Sequence, residues 1–555
     1  MNELFQARLV SSLEKGLITD RPEDYPALTA LTALRGERVN FQLFFRYEPT
    51  GTFCTRYTNV TIEGLPEGAA APIRAVRHVA ADLPTFGPDP SVGTPGFIES
   101  PTGLYPDILE PLYQGKNFRQ REGQLGALWF EATCGEAGTY PVTVTIWEGD
   151  SFVDSQTLTL TVIDAVLPEQ STVYTQWFHA DCLAVYYRVE PFSEAHWEIL
   201  EKAIRFAARH GINCLLTPIF TPPLDTEIGG ERPTVQLVGV EKTGDGYRFD
   251  FTLLKRWIDL SHACGITHFE MAHLFTQWGA AFAPKVMAKV DGRLTRIFGW
   301  DTPASEGEYP RFLAAFLPEL TAFLRAEGIL HRCLFHVSDE PNGEQLENYR
   351  KARDVVEPYL AGCTMIDALS SVEYYRRGLV RTPIPATDAI EPFLAEDIAW
   401  RWTYYCCGQY DKVGNRFIAY PGFRNRILGV QLYKFGITGF LQWGHNFYFS
   451  MGSRRLINPY LCQSGEGLVP SGDAFSVYPG ADGAPLATPR LAVFHEALQD
   501  IEALKCAEKK IGREAVIALI DGLAGSPVTF ASYPQDNAYL LTLREAINRA
   551  IAGTP

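Results

Sequence analysis

The chain has 555 residues, 46% apolar and 21% charged, with a formal charge of −16 from 49 basic and 65 acidic side chains. A chain of that size and composition buries a core without disulfide or metal staples, which excludes general disorder and a small stapled scaffold. Its acidity, with no Lys/Arg cluster, excludes a stripe for phosphate backbones, so no nucleic-acid partner is expected.

In chain order, residues 1–167 read as strands. Glu37–Glu48, Thr139–Trp147 and Gln156–Asp164 alternate apolar and polar residues with β-branched enrichment, which predicts an antiparallel β-sandwich ending at Leu167-Pro168. From about 170 the pattern becomes strand then helix. Thr172–His179 reads as a strand, and Ser193–His210 as a periodic helix with Ser193 as N-cap and Gly211 as C-cap; Ile212–Phe220 is the next strand. Phe251–Cys264, Gly265 and Ile266–Phe275 repeat the cycle, as do Phe312–Glu327, Gly328 and Ile329–Val337. Gln345–Leu360 with Thr364–Leu369, and Arg424–Phe435 with Gly436 and Ile437–Trp443, complete it. Helices closed by glycine and followed by apolar strands predict parallel βα units, and the length suits a (β/α)8 TIM-like barrel over 168–488. An open doubly wound sheet is the alternative, but no GxGxxG follows a strand. A helical C-terminal tail over 489–555 is expected to pack on the barrel.

No run of about 18 apolar residues occurs, so no membrane partner is expected. The first twenty residues lack a basic stretch followed by an apolar one, and the eleven cysteines form no CxxC. Both point to reduced thiols in a cytoplasm. His262, His268, His273, His331 and His336 show no HExxH spacing, and Cys264 and Cys333 do not complete a ligand set. With no P-loop or GxSxG elbow either, neither a metal nor a cofactor is expected.

Chemistry in such a barrel sits at the C-terminal ends of strands. The strand Cys333–Ser338 runs into Asp339-Glu340-Pro341. Two acids ending an apolar strand are costly unless solvated, paired or used. Pro341 disfavours helical geometry at Glu340 and is expected to keep it extended. Past the last ladder bond both carboxyls can face the pocket, where mutual repulsion raises one pKa and suits glycoside hydrolysis. The competing reading makes Asp339 or Asn342 the cap of the following helix. Ala399–Tyr405 packs Trp400, Trp402, Tyr404 and Tyr405 into seven residues, and Leu441–Asn446 ends the last strand. Trp400 and Trp402 are expected in the core; Tyr404, Trp443 and Asn446 are expected to wall a sugar subsite. Asp473, after the barrel, either reaches sugar hydroxyls or holds its loop. The 12% aromatic content fits ring stacking on sugars as well as a large core.

Val337–Pro341, the WTYY segment, Gly436–Asn446, Gly472–Pro479 and Arg490–Glu502 together resemble the domain-of-unknown-function 4091 proteins, which include glycoside hydrolase family 123, the β-N-acetylgalactosaminidases. The resemblance covers roughly 170–505 and implies a β-sandwich before a (β/α)8 barrel. It implies exo-acting, retaining hydrolysis assisted by the substrate's 2-acetamido oxygen, with no protein nucleophile. Carried onto this chain, Glu340 is the acid and then the base, Asp339 orients the acetamido N–H, and Tyr404, then Tyr405, positions that group. His445 departs from the pattern, where an aromatic is expected, so that subsite is expected to differ. The expected partner is a small glycoside or oligosaccharide; the tail packs on its own barrel or on a neighbour, a dimer being the oligomer to test. The alternatives are a glycosidase for β-GlcNAc or a sugar without the acetamido group, and a non-catalytic carbohydrate-binding protein.

Overall fold

The computed structural model describes residues 4–553 apart from 53–54, 67, 70, 88–95, 245 and 278. The first part of the chain forms two five-stranded sheets. One has the order Phe5–Ser11, Arg38–Tyr47, Gly126–Thr133, Ile73–Ala80, Leu104–Leu112; the other has Ala30–Arg35, Ser151–Val166, Gly138–Glu148, Thr55–Glu63, Phe118–Arg121. Alternation places Leu9, Phe41, Leu43 and Leu128 of one sheet and Val60, Val142, Leu158 and Leu160 of the other in one apolar cluster. The pairing departs from the all-antiparallel expectation at one place: Ser151–Val166 runs parallel to Ala30–Arg35.

Eight parallel strands follow, which we number β1 (Val173–Gln176), β2 (Cys214–Thr217), β3 (His268–Met271), β4 (Cys333–Phe335), β5 (Thr364–Leu369), β6 (Thr382–Pro385), β7 (Trp402–Tyr404) and β8 (Gly439–Gln442). Apart from β6 and β7, each pairs with its chain neighbour, and β8 returns to β1 through Val173↔Gly439 to Gln176↔Gln442. Between β6 and β7 the ladder thins to the bridge Ala386↔Tyr404 and the bond from Thr387 N to Tyr404 O at 2.9 Å, so the barrel is nearly closed. Gly439 is required where Trp402 crosses it: a Cβ there would lie 1.9 Å from the indole.

The intervening helices form where the periodicity places them. In α1 (Glu194–Arg209), Ser193 accepts from His196 N as N-cap, and Trp197, Leu200, Ala203, Ile204 and Ala207 form the buried face. α2 (Thr252–Cys264) ends on Gly265 at φ 103°, a left-handed cap that glycine adopts without strain. Two features escaped the pattern. The strand β6 carries two prolines and reads as loop. The hairpins Gly239–Asp250 and Val286–Phe298 are insertions after β2 and β3.

α3 (Gly422–Lys434) and α4 (Pro489–Ile511) pack together, and two further helices, α5 (Arg513–Ala524) and α6 (Asn537–Ala552), complete the tail. The tail packs on more than the barrel. Val10, Leu34, Phe44 and Trp129 of the N-terminal sheets share an apolar cluster with Ile427, Val493, Leu504 and Leu543. Arg544 bridges Glu37 (2.6 Å) and Asp500 (2.8 Å) inside it, and Arg490 grips Asp107 at 2.6 Å.

Candidate active site

The β4 ladder stops at Phe335, so residues 336–340 leave the strand under other restraints. Asp367 on β5 supplies them: its Oδ1 accepts from Val337 N at 3.1 Å and Ser338 N at 3.2 Å, and its Oδ2 accepts from the Tyr349 hydroxyl. His336 bonds carboxylates of both neighbouring strands, Glu270 on β3 at 2.6 Å and Asp367 on β5 at 3.3 Å. Glu270 in turn accepts from Thr175 Oγ1 at 2.5 Å and Trp177 Nε1 at 2.7 Å. Burial works against a charged imidazole, but these carboxylates outweigh it and push His336 up to about 9. His273, stacked on it at 4.1 Å, is held neutral by burial and by that charge. The acidic pair therefore stands on a buried cation locked between two carboxylates.

Glu340 has φ +42°, left-handed rather than the extended geometry expected from Pro341. Both satisfy the exclusion of right-handed helix before proline. The left-handed choice costs about 1–2 kcal/mol for a side-chain-bearing residue and is tied down by the bond from Glu340 N to Ala368 O at 3.2 Å. The capping role falls to Asn342, whose Oδ1 accepts from Glu344 N while its N–H donates to Gln345 Oε1, both at 3.0 Å. Asp339 is free of it. Both acids are half-buried. Burial, then the charges of Glu340 and Asp225, push the Asp339 carboxyl well above the usual range.

Tyr404, at the end of β7, donates to Glu340 Oε1 at 2.6 Å, and the Cys406 thiol reaches the same oxygen at 3.7 Å. Among the described residues no donor reaches Oε2, which leaves that oxygen for a ligand. The bond to Cys407, burial and Glu340 hold the Cys406 thiol well above its usual pKa, so it is a neutral donor.

Among the described residues, none of the others singled out from sequence bonds to this pair. Tyr405 is fully buried against Phe440, on the side facing Tyr174 and Phe494. Trp443 is 8% exposed and donates to Asp473 Oδ2 at 2.7 Å, while Gln442 donates to Oδ1 at 3.1 Å. Asp473 is thus wholly buried and engaged, its carboxyl raised to about 6 by burial. Asn446 pairs with His179, accepting from its N at 2.8 Å and donating to its O at 3.1 Å. His445 lies between Gln176 and Ser476, stacked on Phe178, and burial brings it down to about 3. Trp402 is buried and Trp400 half-buried.

Sequence reading passed over Glu270, Cys406 and Asp225. The first two carried a signal: an acid inside the apolar strand His268–Met271, and a cysteine pair directly after WTYY. Asp225, in the loop after β2, carried none. Among the described residues no three His, Cys, Asp or Glu side chains converge to hold a metal, and no helix is long and apolar enough to cross a membrane.

A family model described as glycoside hydrolase 123, catalytic domain, matches residues 177–507. No curated protein matches the sequence. Among solved structures, a family 123 glycoside hydrolase from Clostridium perfringens, studied for glycolipid glycan hydrolysis, superposes with a TM-score of 0.75 at 16% identity, covering 99% of this chain and 98% of that one. That likeness shows the fold. A family 39 glycoside hydrolase from Bacteroides cellulosilyticus matches at a TM-score of 0.33 and 9% identity, over 85% of this chain and 81% of its own, too weakly to carry an argument.

Proposed function

The chain belongs to the glycoside hydrolase 123 family, and from that premise we propose that it is an exo-acting, retaining β-N-acetylgalactosaminidase that works through an oxazoline. The observation that carries this reading is the adjacent pair Asp339-Glu340 with Tyr404 bonded to one oxygen of Glu340 and the other oxygen open. Neighbouring carboxyls on one strand end reach the same side of a bound sugar, so neither is suited to attack the anomeric carbon from the opposite face. A nucleophile supplied by the substrate fits that arrangement.

In the forward step the Glu340 carboxyl gives its proton to the glycosidic oxygen, the C1–O bond breaks, and the acetamido oxygen closes on C1. The amide N–H donates to Asp339 as its nitrogen becomes positive. In the return step Glu340 takes a proton from water, the water oxygen bonds C1, and the oxazoline opens with retained configuration. Burial and the neighbouring acids favour a protonated Asp339 in the free protein. The arriving N–H donor stabilises the Asp339 carboxylate and favours its ionised form in the complex.

A panel of 4-nitrophenyl β-glycosides of GalNAc, GlcNAc, galactose and glucose tests this. Release from GalNAc alone is expected. Release only from sugars without the acetamido group would discard the oxazoline route while keeping the glycosidase.

A further inference from the structure

A third carboxylate, Asp225 in the loop after β2, lies close enough for its charge to act on Asp339 and for that of Glu340 to act on it. Asp225 is clamped from both sides: its N–H donates to Gln277 Oε1 at 2.6 Å, and its carbonyl accepts from Ser453 Oγ at 2.8 Å. Gln277 also donates to the next carbonyl, Thr226 O, at 3.4 Å. Between these clamps Asp225 holds φ +48°, a left-handed conformation that costs an aspartate free energy. Segments following β3 and β8 thus converge to hold one residue of the β2 loop in a strained pose.

Among the described residues no group donates a hydrogen bond to the Asp225 carboxylate. Arg232 lies near, but its guanidinium is committed to Asp181 at 2.7 and 2.8 Å, to Leu224 O at 3.2 Å and to His179 at 3.2 Å. The neighbours that act on Asp225 are otherwise acidic: burial, eased by Arg232 and reinforced by Glu340 and Asp473, brings its carboxyl up to about 7. A half-buried carboxylate set among acids without a donor is a cost to the folded state. Hydroxyl groups of a ligand would supply the missing donors.

We propose that Asp225 is a specificity-determining residue that accepts hydrogen bonds from the sugar hydroxyls at C4 and C6. The assignment rests on the glycosidase reading above: Asp339 and Glu340 take the groups at C2 and C1, and C4 and C6 form the opposite edge of a pyranose ring. A carboxylate at that edge reads the configuration at C4, because it accepts from an axial or an equatorial hydroxyl but not equally from both.

The test compares 4-nitrophenyl β-GalNAc with its 4-deoxy and 6-deoxy analogues on the wild type and on Asp225→Asn. For the wild type, removing a hydroxyl that Asp225 binds lowers kcat/KM about 10- to 100-fold. The Asn variant loses a similar factor on the parent and little more on the analogue, so the two losses do not multiply. A variant that loses the same factor on parent and analogues, or loses nothing on the parent, overturns the proposal. If the variant does not fold, the wild type decides alone: analogues cleaved as fast as the parent overturn it. Should the wild type instead cleave a sugar without the acetamido group, the oxazoline reading fails. The same deoxy pair made on that sugar then judges Asp225.

Discussion

Tyr404 and Glu340 stand at the ends of β7 and β4, across the barrel, and are joined by a 2.6 Å hydrogen bond from the phenol to Oε1. The bond fixes which carboxylate oxygen faces the ligand, because the Cys406 thiol reaches the same Oε1. Tyr404→Phe leaves only that long thiol contact and frees the carboxylate to rotate. A loss of about 10- to 100-fold in kcat with a small change in KM is expected. Steady-state kinetics on an aryl glycoside checks it; a loss confined to KM would assign Tyr404 to ground-state binding alone.

Glu340→Gln removes the proton donor while keeping shape. The loss depends on the leaving group: about 100- to 10,000-fold for an alkyl or sugar aglycone, and far less for 2,4-dinitrophenol, which departs without protonation. Equal losses across leaving groups of different acidity would remove Glu340 from the acid role.

Cys406 lies 3.7 Å from Glu340 Oε1 and is only partly buried. Its pKa is raised, so alkylation by iodoacetamide is slow near pH 7 and faster in more alkaline solution. An adduct there crowds the acid, and activity falls in step with labelling of Cys406 by mass spectrometry. A sugar bound in the pocket slows both. Full activity after complete labelling would place the thiol outside the space the substrate needs.

Much of the architecture was readable because local signals and tertiary structure agree. Ser193 caps its helix, Gly265 ends the next, and apolar runs give most barrel strands. Asp339 and Glu340 stood out because acids rarely finish an apolar strand. The strand β6 was hidden by Pro383 and Pro385, whose rings read as loop although its neighbours hold it in the sheet. Asp225 was hidden for a different reason. Its pose is set by Gln277 and Ser453, 52 and 228 residues away, and no local pattern encodes that. Tyr404 and Tyr405 show the same limit: adjacent residues of one segment, one on the acid and one in the packing outside the barrel.

The imidazole of His336 gives the last prediction, in stability rather than rate. Its folded pKa of about 9 lies above the 6.5 of an unrestrained histidine, because Glu270 and Asp367 overcome its burial. The folded state therefore holds the proton more tightly than the unfolded chain does. The stabilisation is complete below about pH 6.5 and is lost as pH rises through about 9, at most about 3 kcal/mol over that window. In His336→Gln that slope disappears, and two buried carboxylates are left without their cation, at a cost of about 3–5 kcal/mol. Urea unfolding of both proteins between pH 6 and pH 9.5 measures the difference. If the wild type and the variant lose stability in parallel over that range, the charged imidazole is not what fastens the base of the acidic pair.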